Sequence, residues 1–203
     1  MTKIYEQKIL SGKKDDARVL RSKRDLSEAL ISLLNKKSYH SITVKDICEK
    51  AMISKLCFYN NFVNKDDLMI YIFKRETDEK LNEVRQESID KNQKEVKYED
   101  IINALISMFF SPNKIFRKII STDKDKALYE IINKYIKDTI PNLLSYCVPE
   151  KLNYIPNDFS VTFFSGALTG ILYTMCGDTE LNKNENSIDY IATLTTSTLL
   201  SSK

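Results

Sequence analysis

The chain has 203 residues, with 31 Lys and Arg against 28 Asp and Glu, 42% hydrophobic residues, four Gly, four Pro, four Cys and a single His. So little Gly and Pro excludes a turn-rich all-β protein and points to helices. One histidine, His40, removes most His-based catalysis and most zinc chemistry, and neither catalytic nor metal-binding residues are expected. The charge is uneven: residues 1–75 carry a net of +7 and residues 76–203 a net of −4. A basic head on an acidic body suggests nucleic-acid binding by the head and a different task for the body.

Residues 1–15 are polar and basic, with no apolar run of a secretory signal, and read as a mobile arm. Lys13 and Lys14 of this arm, with Arg18, Arg21, Lys23 and Arg24 just after it, are cations that could meet phosphate. From Ala17, apolar residues at Val19, Leu20, Leu26, Leu30, Leu33 and Leu34 recur at helical spacing, ending near Lys36-Lys37-Ser38. Thr43 caps a second helix, with Asp46 three residues on in a capping-box arrangement and Val44, Ile47, Cys48 and Ala51 as its apolar face. Ser54 caps a short third helix to Asn61. Asn64 opens a long fourth one, whose first turn carries Asp66 and Asp67, favourable at the positive end of the helix dipole.

Beyond a polar stretch at 89–97, further helices are expected at 98–110, 112–121, 124–147, 157–176 and 186–201, with Pro141 a possible kink or break. Phe159 to Cys176 is apolar on two sides, which calls for burial on both. It is interrupted by Ser and Thr and reads as a core helix, not a membrane span of about 20 apolar residues. The cysteines form no C-x-x-C pair and suit the reducing cytoplasm. The fold class is therefore all-α: a three-helix DNA-binding head, residues 1–70, and a helical bundle, residues 71–203.

The two short helices at 43–51 and 54–61 make a helix-turn-helix, whose second helix enters the major groove of DNA. Lys55, Cys57, Tyr59, Asn60 and Asn61 are expected on its exposed side, with Leu56 or Phe58 turned to the core. Asn can pair bidentately with adenine, while Tyr and Lys meet phosphates. Thr43, Lys45, Ser54 and Lys65 complete the expected DNA-binding set, Thr43 and Lys65 at helix N-termini that favour an anion.

Thr43-Val44-Lys45-Asp46-Ile47-Cys48-Glu49-Lys50-Ala51, then Ile53-Ser54-Lys55, Phe58-Tyr59, Phe62 and Lys65-Asp66-Asp67-Leu68, resemble the N-terminal domain of TetR-family transcriptional regulators over residues 18–70. The resemblance implies a homodimer on a palindromic operator, a repressor in most members, and a small-molecule effector bound in the body; no cofactor is expected. Three positions depart from the family pattern: Met52 stands at the usual turn glycine, Leu56-Cys57 at a Gly-Thr pair, and Asn61 at a frequent His.

In the body, Met108, Phe109, Phe116, Tyr129 and Phe164 are candidates to line the effector pocket. Phe163, Gly166, Gly170, Ile191 and Leu194 are candidates for a dimer seam in which the glycines admit a close helix. The fourth helix is expected to be the sole link from head to body. The alternative function is a helical adaptor of the same fold that binds no operator. An enzyme is disfavoured because no nucleophile–base pair is visible.

Overall fold

A computed structural model describes residues 17–91, 100, 103–104, 115–123, 126–147, 157–177, 189–191 and 193–194. The regular structure among these residues is helical throughout: α1 (Ala17–Leu34), a 3-10 turn (Tyr39–Ser41), α2 (Val44–Ala51), α3 (Lys55–Asn61), α4 (Lys65–Asp90), α5 (Ile115–Thr122), α6 (Tyr129–Cys147) and α7 (Asn157–Gly177). The described residues of the expected 98–110 and 186–201 helices are helical as well. The basic arm through residue 16 lies outside the described residues.

In the head, α1 packs on α2, α3 and α4. Its buried stripe, Leu26, Ala29, Leu30 and Leu34, meets Ile47 and Cys48 of α2 and Phe58 of α3 in one apolar core. That core does not stop at residue 70. It continues through Leu68, Met69, Ile72 and Phe73 of α4 into Ile119, Ile132, Tyr135, Phe164 and Leu172 of the body. The fourth helix is thus not the sole link: α1 also packs directly on α5. Where α4 crosses α6, the Tyr135 hydroxyl donates to Thr77 Oγ1 at 2.6 Å. Burial pushes that phenol up from its usual range, an effect the Thr77 bond partly offsets.

Three local details separate pattern from structure. The helix expected from residue 124 begins at Tyr129, because the buried Asp123 carboxylate accepts the backbone N–H groups of Ala127 (3.0 Å) and Leu128 (2.8 Å). An Asp that captures its own downstream amides offers the chain a turn in place of a helix, and Lys126 there takes a left-handed φ of 52°. Tyr173 of α7 secures the turn by donating to Asp123 Oδ2 at 2.6 Å. The α6 helix runs unbroken through Pro141. And α7 is covered on one side only: Val161, Phe164, Leu172 and Met175 are buried, while Phe159 and Phe163 are exposed.

Met52, which ends α2, is left-handed at φ 55° and ψ 38°. Its side chain is 93% exposed, so no packing offsets the strain. A left-handed conformation costs a non-glycine residue about 1–2 kcal/mol, and glycine returns part of that as unfolded-chain entropy. Met52→Gly is expected to stabilise the protein by about 0.5–1 kcal/mol and to raise its Tm by about 1–4 °C in a thermal melt.

Candidate nucleic-acid interface

The recognition element is built from caps. At the start of α2 the Asp46 N–H donates to Thr43 Oγ1 (3.2 Å), and the Thr43 N–H and hydroxyl donate back to Asp46 Oδ2 (2.9 and 2.8 Å). The Thr43 N–H first, then its hydroxyl, hold the Asp46 carboxyl below the usual carboxylate range, and Lys37 at 3.4 Å adds to the effect. At the start of α3 the Cys57 N–H donates to Ser54 Oγ at 3.2 Å. At α4 the Asp67 N–H donates to Asn64 Oδ1 (2.9 Å), while Asp67 Oδ2 accepts from the Val63 N–H (3.1 Å). These caps set where three short-connected helices begin, and so the angle at which α3 is presented.

Around α3, successive side chains are rotated by about 100°. Phe58 is fully buried and stacks edge-on with Tyr59 at 5.4 Å between ring centroids. With Phe58 fixed inward, Lys55, Tyr59, Leu56 and Asn60 fall in that order on one outward arc, and all four are exposed. Lys55, Tyr59 and Asn60 stand where the sequence put them. Leu56 is 73% exposed and was missed as a surface residue. The helical rotation from Phe58 is the signal that locates it.

Cys57 and Asn61 are not on that arc. Both are half-buried: the Cys57 thiol donates to Ser22 Oγ of α1 at 3.6 Å, and Asn61 Nδ2 folds back along α3 to donate to the Cys57 carbonyl at 2.7 Å. Side chains 200–240° round from Lys55 face the helix behind α3, which is why the expected exposure fails for these two. Cys48, close by on α2, is buried, and that burial pushes its thiol up, away from the reactive thiolate. Ser54 is exposed but engaged as a cap, as is Thr43. Lys45 is exposed on α2, with Glu49 at 3.7 Å.

Lys65 differs most from expectation. Its ammonium donates to the carbonyls of Tyr39 (2.8 Å), Ile42 (2.9 Å) and His40 (3.4 Å), which occupies all three of its protons. It also lies over the Tyr39 ring, 4.4 Å from the centroid. Burial holds it below the usual lysine range, with Asp66 opposing. Lys65 therefore ties the start of α4 to the turn before α2 and has no proton left for a phosphate. The Tyr39 hydroxyl donates to Asp66 beside it. Burial, then Asp66, raises that phenol far above its ordinary value. Lys65→Met, which keeps the stem and removes the donors, is expected to destabilise the protein by about 2 kcal/mol in urea denaturation.

Among the expected pocket residues, Met108, Phe109 and the side chain of Phe116 lie outside the described residues. Tyr129 is half-buried against the Tyr173 ring at 5.2 Å, and Phe164 is buried core. A described cleft of about 280 Å³ lies elsewhere, between Lys80, Val84, Glu87 and Ser88 of α4, its C-cap Lys91, and Asp100, Asn103 and Ala104. Of the expected dimer residues, Phe163 and Leu194 are exposed, and a Cβ added at Gly166 or Gly170 would meet nothing within 4 Å. Ile191 is a correction: at 6% exposure it belongs to the chain's own core. No group of three His, Cys, Asp or Glu among the described residues is placed to hold a metal, and none of their helices is long and apolar enough to cross a membrane.

Residues 21–72 match the model of bacterial regulatory proteins of the tetR family. The HTH-type dhaKLM operon transcriptional activator DhaS of Lactococcus lactis subsp. lactis (strain IL1403) is 34% identical over 58 residues, 29% of this chain and 31% of that protein. The uncharacterized HTH-type transcriptional regulator YxbF of Bacillus subtilis (strain 168) is 34% identical over 64 residues, 31% of this chain and 17% of that protein. The chain thus spans under a third of either relative. Over most of the chain the fold is like that of two solved proteins. One is the dihydroxyacetone kinase operon activator DhaS, with a TM-score of 0.50 and 18% identity over 89% of this chain and 94% of that one. The other is the fatty acid degradation regulator FadR from Bacillus halodurans, with a TM-score of 0.50 and 16% identity over 93% and 97%. Residues 21–72 are thus a helix-turn-helix domain of the kind found in the tetR family of bacterial regulatory proteins.

Proposed function

We propose that the protein is a transcriptional regulator that binds a palindromic operator as a homodimer and responds to a small-molecule effector held in its body. The observation that carries this reading is the outward arc of Lys55, Tyr59, Leu56 and Asn60 on a capped helix inside a tetR-type domain. Two such helices in a two-fold dimer would sit about one helical turn of DNA apart. The exposed Phe159 and Phe163 and the open space at Gly166 and Gly170 support α7 as the dimer seam. Contacts of the body with both α1 and α4 support coupling between effector and head, since a shift of α5 or α6 would move both. Such a protein works in the bacterial cytoplasm, where its DNA is.

Repression by operator occupancy is the reading the family suggests. The name of the Lactococcus lactis relative, an activator, favours the opposite direction as a second reading. Capture of genomic fragments on the purified protein tests operator binding. A specific fragment should outcompete random duplex, and its affinity should fall on the order of 10³-fold from 50 to 200 mM salt. A transcriptional reporter on that fragment then gives the sign. Absence of selective capture, with a flat salt response, would favour the adaptor reading.

A further inference from the structure

We propose that Leu56 reads a thymine methyl group, and that together with Asn60 it commits each operator half-site to A·T pairs at two nearby positions. This rests on α3 being the helix that enters the major groove. Phe58 takes the inward position on α3, so Leu56 contributes nothing to the core of the head and stands in solvent at 73% exposure. A single exposed leucine on a surface is ordinary. This one lies inside the outward arc, with Tyr59 on one side and Asn60 on the other, and Met52, Tyr59 and Val63 are exposed within the same twelve residues.

The surroundings identify what covers it. The exposed cations Lys45, Lys50 and Lys55 sit on the same two helices, and the head is basic as a whole. A polyanion fits that field better than an apolar protein partner does. The thymine C5-methyl is the apolar group that the base edges present in the major groove. A branched aliphatic side chain has no polar atom with which to read any other base.

Asn60 is the amide still available on α3, because Asn61 spends its Nδ2 on the Cys57 carbonyl. An asparagine pairs bidentately with adenine. Leu56 and Asn60 are one helical turn apart, about 6 Å along the axis. That is roughly two base-pair steps of about 3.4 Å. The arc holds no arginine to fork onto guanine, and Lys55 at its edge is the one residue there suited to a G·C pair.

The experiment uses the full chain and a duplex selected from a random pool. Each thymine of the selected half-site is replaced in turn by deoxyuridine, which removes the methyl group and leaves pairing intact. One replacement per half-site should weaken binding by the wild-type protein by roughly three- to tenfold. Leu56→Ala, whose fold can be checked by circular dichroism, should bind the thymine duplex more weakly and be indifferent to that replacement. Wild-type affinity unchanged by every replacement would overturn the proposal, as would a Leu56→Ala variant that still discriminates the methyl. Should the wild-type protein select no sequence, the reading of α3 as a DNA reader fails first. A selected site rich in G·C opposite α3 would sink the proposal alone.

Discussion

Phe58→Ala is expected to destabilise the protein by about 3–5 kcal/mol and to abolish DNA binding. Phe58 is fully buried, and its ring lies 5.8 Å from Phe62 and 5.4 Å from Tyr59. Phe62 in turn packs on Tyr71 of α4 at 5.4 Å, and Lys23 of α1 lies 5.7 Å over that ring. Removing Phe58 leaves a cavity at the point where α1, α3 and α4 converge, and α3 is too short to hold itself together without that contact. Set against a total stability of about 5–15 kcal/mol, the loss empties much of the folded population. Urea denaturation followed by circular dichroism measures it directly. Leu56→Ala, two residues away, should change stability by less than about 0.5 kcal/mol, as surface substitutions do. Similar losses for the two variants would mean that the assignment of faces on α3 is wrong.

With the proposed dimer seated on α7, Phe163→Glu is expected to leave the monomer folded, to shift that dimer to monomers, and to weaken binding to the proposed operator by on the order of 10²-fold or more. Phe163 is 62% exposed on the open side of α7, so a carboxylate there costs the monomer little. Across a two-fold seam the same substitution brings two buried like charges together with no partner, a penalty of several kcal/mol. Operator affinity follows, because a second recognition helix held in place adds about 10²–10⁴-fold over one alone. Sedimentation at several concentrations reports the assembly state, and anisotropy on the captured operator reports the affinity. A variant that stays dimeric would move the seam off this face of α7.

Much of the head was legible because its determinants lie within a few residues of one another. Thr43 with Asp46, Ser54 with the Cys57 amide, and Asn64 with Asp67 are each spaced by three residues, the reach of a helix cap. The turn at Met52 was marked differently, by the family resemblance that puts a glycine there, and the left-handed φ is found at that position. In the body, the start of α6 was misplaced because an Asp-Lys-Asp-Lys run reads as a helix surface, and pattern alone does not mark Asp123 as a buried cap.

The sequence by itself determined an all-helical chain, a basic head with a helix-turn-helix, and the caps that start its helices, since each is written in local spacing and composition. The tertiary structure decided what depends on partners far along the chain. It set Lys65 on carbonyls more than twenty residues upstream and brought Tyr173 to Asp123 across fifty residues. It turned Cys57 toward α1 and half-buried Asn61, put Leu56 in solvent, and carried the apolar core of the head into the body through both α1 and α4. A helical period states that one face must be buried. Only the neighbouring helices choose which face, and thereby which side chains remain to meet DNA.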